Sequence, residues 1–251
     1  MCGRYTVLTE DEIIEIREII KDISLRIVRD DFDDYDEKVE KPECDKAKLN
    51  KTAFASPDFP TNFVPHTHGY QGEVRPTNAA PVITRNDKGI VFENVKWGFK
   101  KWNSPGVIIN ARSETLRDKS TFSKHLETGR CVVPAGEFFE WEKIGKSRKK
   151  HYAKDRNGNL LFMAGLYRDR KDANEPDGWI REFVIITKDA TGEMAKIHDR
   201  LPVILRTDQI EAWLTGEMTP EDIVTMEYDV MVKPCENEDA YTQLELFSCP
   251  P

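Results

Sequence analysis

Apolar positions along the chain follow two periods, and strand-like runs outnumber helical ones. Thr9-Glu10-Asp11-Glu12 has the form of a capping box, and it opens a predicted helix whose Ile13, Ile16, Ile19 and Ile20 share one face. Thr207 is placed to cap a second helix carrying Ile210, Trp213 and Leu214, with Gly216 just past its end. Thr219-Pro220-Glu221-Asp222 starts a third, with proline at the first helical position. Between these, strand-like runs fall near 80–85, 89–97, 106–110, 130–134, 151–154, 160–167, 180–187 and 202–205. Asn86-Asp87-Lys88-Gly89, Gly145-Lys146-Ser147 and Asn157-Gly158-Asn159 separate them at hairpin spacing. The pattern predicts an α+β fold: a mainly antiparallel, curved sheet or β-barrel-like core with a few peripheral helices. It shows no internal repeat and no glycine-rich phosphate loop, so one domain over 1–251 is expected.

Composition narrows the class. At 251 residues the chain can bury a sizeable core without disulfide or metal staples. No run approaches the ~18 apolar residues of a membrane span, and the first residues lack an apolar signal core, so an intracellular protein is expected, nuclear if eukaryotic and cytoplasmic if bacterial. Cysteines at 2, 44, 131, 235 and 249 make neither a disulfide framework nor a zinc spacing, and no cofactor or metal is expected.

Formal net charge is −8, which at face value argues against a nucleic-acid partner. The charge is unevenly spread, however. Residues 30–45 carry nine acidic and two basic side chains, and residues 217–251 nine acidic and one basic, so the remainder is net +7. The first of these stretches belongs to an acidic, turn-rich region over about 22–72, expected to be a flexible insertion, and residues from about 228 form an acidic tail.

Cys2 is the most informative candidate residue. Once an initiating methionine is trimmed, its α-amine and thiol sit on adjacent carbons, with ordinary pKa values of about 7.7–8.0 and 8.5. Such a 1,2-aminothiol condenses with an aldehyde to an imine and then closes a thiazolidine ring. Gly3 permits close backbone approach and Arg4 can hold an anion beside the nucleophile. The alternative is an inert cysteine on a frayed terminus.

His198, within Lys196-Ile197-His198-Asp199-Arg200-Leu201-Pro202, reads as a general acid or base on a loop at a strand edge; His66, His68, His125 and His151 read as surface residues. Asn110 ends an apolar run and suits a residue that orients a reacting group, or one that merely satisfies a turn. Glu140, between Phe139 and Trp141, either lies in an apolar wall with a raised proton affinity, or faces solvent while its neighbours face in. Trp97 reads as core. Lys101-Trp102-Asn103 could stack on unpaired bases. The run Lys146-Ser147-Arg148-Lys149-Lys150 reads as a solvated hairpin tip, with phosphate contact as the second reading.

Taken together, Met1-Cys2-Gly3-Arg4-Tyr5, Thr77-Asn78-Ala79-Ala80-Pro81, Trp97-Gly98, Ile109-Asn110-Ala111-Arg112-Ser113-Glu114-Thr115, Phe138-Phe139-Glu140-Trp141 and Ile197-His198-Asp199-Arg200-Leu201-Pro202 resemble the SRAP family, the SOS-response-associated peptidase-like proteins that crosslink themselves to abasic sites in single-stranded DNA. The motifs span about residues 1–205. Thr77 stands where the family usually has tyrosine, and an extra alanine follows Asn78. The resemblance implies Cys2 as the crosslinking nucleophile, with Asn110, Glu140 and His198 as its partners. Arg4, Asn78 and Arg112 would line the DNA path, and Pro81 and Trp102 would stand near the lesion. The implied partner is single-stranded DNA containing abasic sites, bound by a monomer without membrane or metal, and associated thiol autopeptidase or lyase activity would follow from the same residues. The competing expectations are a thiol peptidase using Cys2 and His198, and a non-covalent single-stranded-DNA-binding module.

Overall fold

The structure, a computed structural model, describes residues 2–6, 8–36, 72–87, 89–176 and 178–235. Strand β1 (Arg4–Thr6) is followed by helix α1 (Glu10–Asp36). Then come β2 (Glu73–Val74), β3 (Ala79–Asn86), β4 (Gly89–Trp97), β5 (Phe99–Lys100), β6 (Val107–Ile108) and β7 (Asn110–Arg112). Short helices α2 (Ser120–Ser123) and α3 (His125–Thr128) precede β8 (Arg130–Ala135), β9 (Glu137–Ile144), β10 (Ser147–Asp155), β11 (Leu161–Lys171) and β12 (Trp179–Asp189). The described chain ends with β13 (Arg200–Pro202), β14 (Ile204–Leu205), α4 (Ile210–Thr215), α5 (Pro220–Thr225) and β15 (Val230–Pro234).

Strands β12, β4, β3, β8 and β11 lie side by side in that order, and pairing of β11 with β12 closes them into a five-stranded barrel. A second sheet runs β15-β10-β9-β1-β2. Pairing is antiparallel except where β12 meets β4 and β7. The α+β reading with a barrel-like core and few helices therefore holds.

Strands β8, β11 and β12 are buried on both faces over much of their length, which is why they read as unbroken apolar runs, whereas β4 alternates buried and less buried positions. On β11, Leu161 and Met163 enter one apolar cluster while Phe162, Ala164 and Leu166 enter another. The second of these is roofed by helices. Ile13, Ile16, Ile20 and Ile23 of α1 pack there with Trp213 of α4 and Ile223 of α5. The other cluster lies between barrel and second sheet, and holds Cys2, Tyr5, Trp97, Phe138 and Phe183.

The capping box at Thr9 forms, its backbone N–H donating to Glu12 Oε2 at 2.6 Å, and Thr219 forms another with Asp222. Before α4, a 3-10 turn occupies 207–209 and Gly216 closes the helix at φ 91°. Several expectations change. Thr207 lies inside the 3-10 turn rather than capping α4, whose N-cap is Gln209, and His125 is partly buried rather than at the surface. Helix α1 runs on to Asp36, so residues 22–36, expected within a flexible insertion, are helical, and Ile23 joins the packed face, on which Ile19 is only partly buried. The acidic residues 37–45, His66 and His68 lie outside the described residues. The run 106–110 breaks at Ile109 into two strands, because the Ile109 carbonyl accepts the indole N–H of Trp97 at 3.1 Å and the Ile185 N–H at 3.1 Å. His151 is buried on β10 with Nε2 3.5 Å from Glu142, not at the surface.

Candidate active site

Residue 2 stands just before β1, and β1 is held between β2 and β9 by the registers Tyr5 with Val74 and Arg4 with Phe139. Those pairings tuck Cys2 into the cluster between the sheets with no exposed surface. Its thiol donates to the Arg4 carbonyl at 3.7 Å. Burial pushes the thiol well above its ordinary pKa, and the nearby Glu140 charge pushes further the same way.

Glu140 resolves its two readings. On β9 it shares the inner face with Phe138, whereas Phe139 and Trp141 point outward and carry cations. Lys150 Nζ lies 4.4 Å over Phe139 and the Arg4 guanidinium 4.9 Å over Trp141. Glu140 is 3% exposed. Burial raises its carboxyl above the usual range, while the positive charge at the amino terminus and His198 draw it partly back. Cys2, Glu140 and His198 are thus one electrostatic group.

His198 follows a 3-10 turn at Met194–Lys196 and is a quarter exposed on its side chain. Its Nδ1 is 3.0 Å from the Arg200 backbone N–H and 2.9 Å from Asp199 Oδ1. One nitrogen cannot accept from the first and donate to the second at once. The neutral ring can accept from the Arg200 N–H at Nδ1, and the imidazolium can donate from Nδ1 to Asp199, so these partners suit both forms of the ring.

Asn110 begins β7, beside Ile109, which packs on the Cys2 cluster. Both of its amide atoms are buried without a partner, an arrangement that costs stability unless something arrives to use them. It opens into a cavity of about 450 Å³ that also exposes Arg112 and is floored by Phe122. Sequence reasoning missed three polar members of that cavity, Lys119, Thr121 and Thr187. Thr187 is 1% exposed with an unpartnered hydroxyl, and no signal marks it inside an apolar strand. Tyr5 was missed too: its hydroxyl is buried without a partner, and its ring stands 5.1 Å from Trp97.

The remaining expected residues divide. Arg112 lines the cavity with Asn110. Arg4 has its Nη1 3.2 Å from Glu73, a carboxylate it shares with Arg75 and Lys150. Asn78 braces the turn into β3, its Oδ1 accepting the Arg75 N–H at 2.9 Å. Just before it, Thr77 sits at φ 76°, a left-handed conformation that strains a β-branched residue. Pro81 lies in β3 ahead of the point where β8 begins to pair, so its missing N–H leaves no gap in the ladder. Trp102 is 93% exposed in the loop between β5 and β6. Nothing brings Pro81 or Trp102 against Cys2.

One ion cluster explains why two motifs occur together. Arg200 forks onto Glu114 at 3.0 and 2.8 Å, and its other contacts are Asp189 and the Thr187 carbonyl. This buried fork ties the segment after Asn110 to the loop that presents His198.

The chain is 34% identical over 165 residues to the abasic site processing protein YoqW of Bacillus subtilis, a match covering 61% of this chain and 72% of that one. Against the abasic site processing protein HMCES of Gallus gallus it is 34% identical over 177 residues, covering 59% and 51%. A crystal structure of a Bordetella bronchiseptica protein shares the fold at a TM-score of 0.60, with 17% identity over 94% of this chain and all of that one. A sequence model of one family, SOS response associated peptidase, matches residues 1–243, and the chain therefore belongs to the SRAP family.

Proposed function

We propose that this protein captures abasic sites in single-stranded DNA through a covalent bond to Cys2. The observation that carries the reading is the buried group of Cys2, Glu140 and His198, next to an asparagine whose amide atoms are both unpartnered. The names of its relatives support the substrate.

The reaction needs an α-amine on Cys2, hence prior removal of Met1. Ring-opened abasic deoxyribose presents an aldehyde. The amine adds to its carbon, and loss of water leaves an imine. The thiol then adds across the C=N bond, sulfur to carbon and proton to nitrogen, closing a thiazolidine with no leaving group. His198, as an imidazolium supported at Nδ1 by Asp199, is suited to give its Nε2 proton to the ring oxygen as the sugar opens. Glu140, with its raised proton affinity, moves protons at the amine and imine and assists reversal. Asn110 orients the amine or the sugar with its idle donor and acceptor. Arg112 and Lys119 hold phosphate beside the lesion, contacts that weaken with salt.

A thiol peptidase is the weaker reading. That chemistry needs a thiolate, stabilised by an adjacent cation or base. Here burial and Glu140 both hold the Cys2 proton on, and the His198 Nδ1 is taken by Arg200. For addition to an imine, a protonated thiol beside a carboxylate is an adequate starting point.

Incubation of purified protein with single-stranded DNA bearing one abasic site should add the DNA mass to the peptide starting at Cys2. Cys2→Ala should give no heat-stable adduct. An adduct of equal yield from Cys2→Ala would sink the reading, and strand binding with an unmodified amino terminus would favour a non-covalent binder.

A further inference from the structure

Several surface arginines among the described residues are already matched. Arg117 pairs with Glu221, Arg156 with Asp229 and Glu193, Arg170 with Asp172 and Glu182, Arg181 with Asp169, and Arg206 with Asp208. The β9–β10 hairpin differs. Lys143, Lys146, Arg148 and Lys149 crowd its tip; Lys149 stands opposite Glu142 in the ladder, but among the described residues none of the four closes an ion pair.

The hairpin is rigid enough to hold them there. Eight residue pairs join its strands, and the turn closes through Gly145 at φ 61° and a Ser147 hydroxyl donating to the Ile144 carbonyl at 3.0 Å. The register sets Arg148 directly opposite Lys143. Like charges facing each other across a ladder destabilise it, so the arrangement favours an external anion that neutralises both.

Position supplies the second half of the argument. Lys143 is three residues and Gly145 five residues beyond Glu140 on the same strand, about 10–17 Å at the rise of a β-strand. Trp141 lies between, on the outer face with Arg4 over its ring. Stacked nucleotides advance by about 3.4 Å each along a strand, so the tip falls some three to five nucleotides from the lesion.

We propose that the β9–β10 hairpin is a phosphate-binding arm that grips the intact strand on one side of the abasic site. The proposal rests on the abasic-capture reading and extends it to the undamaged DNA flanking the lesion. The arm reads no sequence. It sets how much flanking strand the protein requires and how steeply binding depends on salt.

The test compares wild type with the variant K143Q/K146Q/R148Q/K149Q, whose thermal melting should match because all four side chains are exposed. On undamaged 25-nucleotide single strands the variant should bind at least ~10-fold more weakly at low salt, and the slope of log affinity against log salt should shrink by about 2–3, at roughly 0.7 per phosphate released. Abasic five-nucleotide strands should crosslink at the wild-type rate, because they end before the arm. Abasic strands extended on one side only should distinguish wild type from variant for one polarity and not the other. Unchanged affinity and salt slope on the long strand would overturn the arm, and so would an equal loss of crosslinking on five and 25 nucleotides. Failure of Cys2 chemistry would show as a missing adduct with the salt slopes still differing, so the two ideas fail separately.

Discussion

The two apolar clusters on either side of the barrel wall share strands yet differ in kind. The helix-roofed cluster is almost wholly aliphatic and aromatic, and its one polar handle, the Trp213 indole N–H, donates to the Cys131 carbonyl at 2.9 Å. The cluster between the sheets takes in Cys2, has Glu140 and Asn110 on its margin, and leaves the Tyr5 hydroxyl unpartnered. One side holds the fold together. The other carries buried polar groups without partners, which on the proposed reading a substrate would supply.

The sharpest way to separate the sides is to damage each in turn. Trp213→Ala removes a fully buried indole over which Arg130 lies at 4.5 Å, and should cost about 3–5 kcal/mol. Calorimetry should show the fall in Tm, while the fraction still folded crosslinks normally. A loss of crosslinking exceeding the loss of folded protein would mean that the clusters are not separable.

Glu140→Gln should act in the opposite sense. As a general acid–base loss it should slow adduct formation by about 10²–10⁴-fold. Stability should rise. The carboxyl is pushed above its unfolded value, so the stability it contributes is complete below about pH 4.3 and is lost as pH climbs through the raised folded-state pKa. Wild type should therefore melt below the variant at pH 8 and converge with it in acid. Melting curves that differ equally at both pH values would contradict the proposed burial of charge.

Asn110→Ala should slow capture by about 10²–10³-fold, the usual loss for one positioned polar group, yet change stability by under about 1 kcal/mol, since no hydrogen bond disappears. A large drop in Tm would show that the amide has a structural partner. The smallest effect is expected at Thr77→Gly, where relief of the left-handed φ should be worth about 1 kcal/mol against the added chain entropy, with crosslinking intact.

Helices α1 and α5 were legible because caps and apolar spacing agree there, and α4 from its apolar spacing and closing Gly216. All five strands of the barrel were visible as apolar runs, but the pairing of β11 with β12 that closes it was not. Strand β9 escaped because its inner face alternates phenylalanine with glutamate and its outer face is capped by cations, so neither periodicity nor composition marks it. The side chains of Cys2, Asn110, Glu140 and His198 could be named from motifs. That three of them form one electrostatic group could not, because β1 meets β9 across more than 130 residues of chain. Thr187 was invisible for a further reason, since in sequence it is only the polar end of a core strand.

That distant pairing also sets an order of events in synthesis. β1 has no partners among the described strands other than β2 and β9, so residue 2 cannot be fully enclosed until Phe139 has been made. At 5–20 residues per second the interval is roughly 7–27 s. Throughout it the Cys2 side chain stands in water, and closing of the sheet buries it. Removal of Met1, which the proposed chemistry needs, has that interval in which to act on an unfolded amino terminus.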